Sequence, residues 1–119
     1  METIRRHHIS FLNAFNGIVW AFKTQPNFRV HTLLAVSAIL LGIILNISHL
    51  EMTIIVLTII FGLGVEMVNT SIEAMTDLIT TEWKLQAKIA KDVAAGMMLL
   101  TAFGAVIVAY LIFIPKLLH

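Results

Sequence analysis

The chain has 119 residues, 59% of them hydrophobic and only 13% charged, with a mean hydropathy of +0.93. A soluble domain carries about 25% charged residues, so the deficit makes lipid the main solvent. A net charge of +1 gives no bulk attraction for nucleic acid, and the absence of cysteine excludes disulfides, thiolate metal sites and cysteine nucleophiles.

The length allows one domain, 1–119, in which four helices are predicted. Over about 3–24, Ile4, Phe11, Phe15, Ile18 and Phe22 recur at helical spacing against polar Arg5, Arg6, Asn13, Asn16 and Lys23. That pattern predicts an amphipathic helix lying in the membrane interface; packing on a helical bundle is the plainer use of the same face. Pro26 suits the first position of the next helix. Val30 to Leu50 holds no Asp, Glu, Lys or Arg, which predicts a first span over about 28–48. The apolar stretch Met52 to Val65 has 14 residues, too few to cross at 1.5 Å per residue. It spans only by running on through Glu66, Asn69 and Glu73 toward Asp77, which predicts a second span over about 52–79. Gly62 and Gly64 are tolerated there because small residues let membrane helices approach closely. Val93 to Ile114 is again free of charge and predicts a third span over about 88–115. The first long apolar run begins near Val30, later than in a cleavable signal peptide, so none is expected.

Orientation follows from the basic residues. Arg5, Arg6, Lys23, Arg29, Lys84, Lys88 and Lys91 fall on one side of the three spans and Lys116 alone on the other. The N-terminus is therefore expected in the cytoplasm and the C-terminus outside. Trp20, Trp83 and Tyr110 suit interface anchors.

The chemistry concentrates on one helix face. At 100° per residue, Asn69, Glu73 and Asp77 lie about −60°, −20° and +20° around the axis from Glu66. Three carboxylates on one face of a membrane helix cost a few kcal/mol each and require a reason. Lys88, Lys91 and Asp92 follow just before the third span, beside Ala94, Ala95 and Gly96, whose size allows close helix approach. Carboxylates with cations nearby suit Mg²⁺-nucleotide chemistry, and a further carboxylate can accept the proton of an attacking hydroxyl. No P-loop, kinase glycine-rich loop, HRD or DFG motif occurs. Two plainer readings of the acids stand beside this one: an ion or proton pathway, or an oligomer contact paired with lysines. Lys91–Asp92 equally suits an interface anchor. His7, His8, His31, His49 and His119 have no metal-ligand spacing, and His7 and His8 read as facing lipid headgroups.

The string from Glu66 to Asp77, Glu-Met-Val-Asn-Thr-Ser-Ile-Glu-Ala-Met-Thr-Asp, closely resembles the signature ExxN[ST][SA]xExxxD of the prokaryotic diacylglycerol kinase/undecaprenol kinase family. Thr76 stands where that signature usually has Val. Ala90-Lys91-Asp92 and Asn27-Phe28-Arg29-Val30-His31 resemble two further blocks of the family, with spacing that agrees without gaps over nearly the whole chain. The resemblance implies an all-α integral membrane protein of the bacterial inner membrane: a surface helix plus three transmembrane helices in each protomer of a homotrimer, with active sites shared between neighbours. It implies transfer of the ATP γ-phosphate to a membrane lipid alcohol. Glu66 would be the general base, Glu73 a metal ligand, and Asn69 and Asp77 the organisers of nucleotide and metal. Lys91 and Asp92 would hold the ATP end, with Glu82 and Lys84 near the adenine. Arg6 would contact phosphate or substrate, and Phe28 and Arg29 would lie on the lipid side. The family often has a metal-binding glutamate where this chain has Gln25, whose amide oxygen can ligate Mg²⁺ without charge.

The blocks NFRVH and AKDVAA follow the undecaprenol branch, which makes undecaprenol the expected acceptor and diacylglycerol the alternative. A small oligomeric ion or proton conductor would explain Glu66, Glu73 and Asp77 but not Lys91, Asp92 and Arg6. A non-catalytic packing subunit would give no reason for the acids.

Overall fold

Four α-helices account for nearly the whole chain in the computed structural model, which describes residues 1–119: α1 Glu2–Thr24, α2 Pro26–Ile44, α3 His49–Ile79 and α4 Leu85–Leu117. Backbone proximity divides them into two units, Met1–Val30 and His31–His119.

The first unit is α1 with the opening turn of α2. Gln25 ends α1 in an extended conformation, its N–H donating to the Ala21 carbonyl at 2.9 Å. Pro26 follows at the first position of α2, where its missing N–H has no cost. Ala21 and Phe28 are buried, whereas Ile4, Phe11, Phe15, Ile18 and Phe22 are all exposed. An apolar helix face left uncovered by protein is the arrangement of an interfacial helix.

In the second unit α2 stops at Ile44, short of the uncharged run that continues to Leu50. Backbone geometry ends it. Asn46 takes the left-handed conformation (φ 53°). Its N–H donates to the Ile43 carbonyl and that of Ile47 to the Gly42 carbonyl, both at 3.1 Å. This pair of bonds is a Schellman motif with asparagine in the place that glycine usually takes. Ile47 then folds back over Gly42: a Cβ there would stand 2.8 Å from Ile47 Cδ1 and 2.9 Å from Met52 Cε.

Ser48 immediately starts α3 with a capping box. Its hydroxyl accepts from the Glu51 N–H at 3.1 Å, and Glu51 Oε1 accepts from the Ser48 N–H at 3.0 Å. Ser48→Ala is expected to cost about 1 kcal/mol. A fall of a few degrees in the Tm of the detergent-solubilised protein checks this, and Ser48→Thr should restore most of it.

α3 and α4 form an antiparallel pair joined at 80–84, and they are the two helices whose backbones approach most extensively. Ile55, Ile112 and Phe113 make the buried core at one end, with Ala38, Ile39, Leu41, Val108 and Ala109 packed against them. Ala94 is buried, but Ala95 and Gly96 are exposed, and nothing lies within 4 Å of a Cβ placed at Gly64 or Gly96. The close approach expected at those two glycines is therefore absent within the protomer. Gly62 faces Thr101 Cγ2 at 3.9 Å, an ordinary contact distance.

The whole chain buries seven apolar side chains and leaves residues such as Leu33, Leu40, Leu57, Phe61, Leu100 and Phe103 exposed. Water would penalise such a surface; lipid or a second copy would not. Three helices, α2, α3 and α4, are long and apolar enough to cross a membrane. The protein is an all-α membrane protein.

Candidate active site

At 31 residues, α3 is about 46 Å long, well beyond the roughly 30 Å of hydrocarbon. About twenty residues from Met52 suffice to cross it. Glu66 and Asn69 then lie at membrane depth, while Glu73 and Asp77 fall at or beyond the boundary. The expected stripe thus divides into a buried pair and an exposed pair.

The buried pair faces inward. Glu66 is 3% exposed and Asn69 is 8% exposed. His31, at the start of the second unit, brings Nδ1 to 2.6 Å from Glu66 Oε2. That is the distance of a charge contact, although no N–H is aligned on Oε2 as a regular hydrogen bond requires. Asn69 Oδ1 accepts no hydrogen bond at all. A buried polar atom without a partner is costly, which makes it a position waiting for a donor or a cation.

His31 and Glu66 close one end of a cavity of about 370 Å³ between α2, α3 and α4. The other walls are apolar or small, among them Ala35, Ile59, Gly62, Met98 and Ala105. Its size and lining suit an apolar ligand oriented by a few polar groups at one end.

The exposed pair faces α4. Lys91 Nζ reaches Asp77 Oδ1 at 2.7 Å, so the predicted cation and carboxylate do meet across two helices. Asp92 does not join them: it pairs with Lys88 one turn earlier on its own helix. Glu73 is exposed and forms no ion pair of its own, but beside Asp77 its charge helps hold Lys91 protonated. Glu82 and Lys84 lie in the α3–α4 connection, 3.8 Å apart, with Lys84 at the N-cap position of α4 and no side-chain capping bond.

Four sequence-predicted residues belong to the first unit. Arg6 is exposed and pairs with Glu2 along α1 at 3.6 Å. Gln25 is half-buried, its Nε2 donating to Thr24 Oγ1 at 3.3 Å. Phe28 is buried, and Arg29 is exposed.

The donors present fit a hard cation. Mg²⁺ takes oxygen ligands and binds through one or two carboxylates, completing its shell with water and phosphate. Glu73 offers an exposed carboxylate and Asn69 an unsatisfied amide oxygen one turn away. No cluster of three or more His, Cys, Asp or Glu exists in the protomer.

Sequence reasoning placed His31 in the NFRVH block and found no metal-ligand spacing among the histidines, but assigned His31 no role. The usable signal was different: an ionisable group on a membrane helix pairs with another, and Glu66 needed a partner.

The chain matches the family described as prokaryotic diacylglycerol kinase over residues 12–113. It is 39% identical over 111 residues to a diacylglycerol kinase of Synechocystis, an alignment covering 92% of this chain and 63% of that protein. It is 38% identical over 114 residues to the undecaprenol kinase of Bacillus subtilis, covering 96% of this chain and 93% of that one. With a diacylglycerol kinase of Helicobacter pylori it shares 32% identity over 85 residues, 71% of this chain and 66% of that protein. It therefore spans less than two thirds of the Synechocystis protein and nearly all of the Bacillus one. A match running through all three apolar helices, with the acids of α3 and the Lys91–Asp77 pair inside it, places the chain in the prokaryotic diacylglycerol kinase family.

Proposed function

We propose that the protein is an ATP-dependent lipid kinase that phosphorylates undecaprenol, acting as a homotrimer in the bacterial inner membrane with its N-terminus in the cytoplasm. One observation carries the reading: a carboxylate only 3% exposed, at membrane depth, set at the end of an apolar cavity. The cavity receives the lipid chain and brings its hydroxyl to Glu66. An alcohol is a poor nucleophile near neutral pH, so Glu66 takes its proton as the oxygen attacks the γ-phosphorus. The bond from the γ-phosphorus to the bridging oxygen breaks, and its electron pair leaves with ADP.

Asp77 and Lys91 lie about 16 Å along α3 from Glu66, at the end from which a nucleotide approaches. Lys91 meets phosphate charge, and Asp77 holds that lysine in place. Asn69 and Glu73 would hold Mg²⁺, with Gln25 as a further oxygen donor. When bound, the ion neutralises charge on the transferring phosphates. Arg6, Glu82, Lys84 and Asp92 complete the nucleotide contacts, and Phe28 and Arg29 the lipid side.

Support for undecaprenol comes from the NFRVH and AKDVAA blocks and from the length shared with the Bacillus undecaprenol kinase. Support for a trimer comes from the apolar surface one protomer leaves bare.

The test is Mg²⁺-dependent phosphate transfer from ATP to undecaprenol and to diacylglycerol, measured in parallel on the purified protein. Faster transfer to undecaprenol is expected. Preference for diacylglycerol would reverse the substrate assignment, and transfer to neither would end the kinase reading.

Topology is checked separately, since the chain has no cysteine of its own. His49→Cys should react with an impermeant thiol reagent from outside the cell. Reaction from the cytoplasmic side alone would invert the orientation.

A further inference from the structure

A buried base has a problem that an exposed one lacks. Once it holds the substrate's proton it must lose it before the next turnover, and Glu66 is 3% exposed. Among the residues lining its cavity, His31 is the other titratable side chain. His31 touches Glu66 Oε2 through Nδ1 at 2.6 Å, yet its own side chain is 38% exposed. It thus connects the enclosed carboxylate with the outside. The two residues sit on different helices, so the contact arises from the packing of α2 against α3 and not from helical spacing.

We propose that His31 is the positioning residue of Glu66 and the group that empties it of its proton after each transfer, an inference that rests on the kinase reading above. A fixed Nδ1–H donor could orient the carboxylate but could not accept from it. At 2.6 Å the contact needs a proton between Nδ1 and Oε2, since two facing lone pairs would repel. In the resting state Nδ1 carries the hydrogen and faces the carboxylate. The lipid hydroxyl proton passes to Glu66 while the new O–P bond forms and ADP leaves. With Glu66 neutral, the ring exchanges through water to its Nε2–H tautomer, and the carboxylic acid gives its proton to the freed Nδ1. The imidazolium loses its Nε2 proton to water on its exposed side, which restores the first tautomer.

The test is a kinetic cycle on the full-length protein in detergent. His31→Ala is expected to lower kcat about tenfold or more, at the low end for a lost proton-transfer group, with KM for ATP and for lipid within about twofold. Added imidazole should restore part of the turnover. Glu66→Gln with His31→Ala should be no slower than Glu66→Gln alone, because His31 acts through Glu66. A merely structural role would give multiplicative losses and no imidazole rescue. Should His31→Ala not fold, His31→Asn, a polar side chain without a titratable nitrogen, carries the same expectations. Unchanged kcat in either folded variant, or multiplicative losses in the double variant, would overturn the proposal. Such results leave the kinase reading intact, whereas a wild-type protein that phosphorylates no lipid overturns both.

Discussion

Glu66→Gln is expected to lower kcat by roughly 100-fold or more, the usual range for a lost acid–base group. Glutamine keeps the shape of the side chain and its place beside His31, so the cavity wall survives and only the proton acceptor goes. Nucleotide binding should persist, because the Lys91–Asp77 pair lies some ten residues further along α3. Turnover and ATP binding must therefore be measured on the same folded preparation. A variant with near-normal turnover would remove Glu66 as the base. The acids of α3 would then be better explained by ion passage, which proton flux in proteoliposomes can detect.

Glu73→Gln should act on a different quantity. Glu73 is a carboxylate without an ion partner, one turn from the unsatisfied oxygen of Asn69. Losing its charge should raise the Mg²⁺ concentration needed for half-maximal activity by about tenfold or more, a loss comparable to removing even the supporting partners of metal ligands. Apparent affinity for ATP should fall with it, since nucleotide and metal are held together. The reciprocal change, Gln25→Glu, adds a carboxylate and should be tolerated or improve metal use. Titration of activity with Mg²⁺ distinguishes both from Glu66→Gln, whose defect excess metal will not repair. Loss of activity in a folded Gln25→Glu protein would remove position 25 from the metal shell.

The helices were legible because hydrophobic runs and charge counts read directly onto a bilayer. The end of α2 was not. The uncharged run continues to Leu50, but Asn46 adopts a left-handed conformation that hydropathy does not register. The start of α3 was more visible than it was used: Ser48-His-Leu-Glu51 spells a capping box in the sequence itself. Within the site, helical spacing put Glu66, Asn69, Glu73 and Asp77 on one face. It could not tell which of them is enclosed, because that depends on α2 and α4. Pairings between helices were similarly hidden. Lys91 with Asp77 and His31 with Glu66 require three-dimensional proximity across 14 and 35 positions of chain, whereas Asp92 with Lys88 is an ordinary pair one turn apart.

Ion pairs sit at both ends of the α3–α4 hairpin, Lys91 with Asp77 at one and Lys116 with Glu51 at the other, 3.8 Å apart. Each is solvated and by itself contributes little to stability. Their joint effect is on register. A slide of one helix past the other by a single turn, about 5.4 Å, would separate both pairs at once and draw a charged end toward hydrocarbon. Piston motion of α3 against α4 is thereby discouraged, and the depth of Glu66 is kept constant. The backbone of α2 approaches that hairpin less extensively, so the hairpin and not α2 fixes that depth.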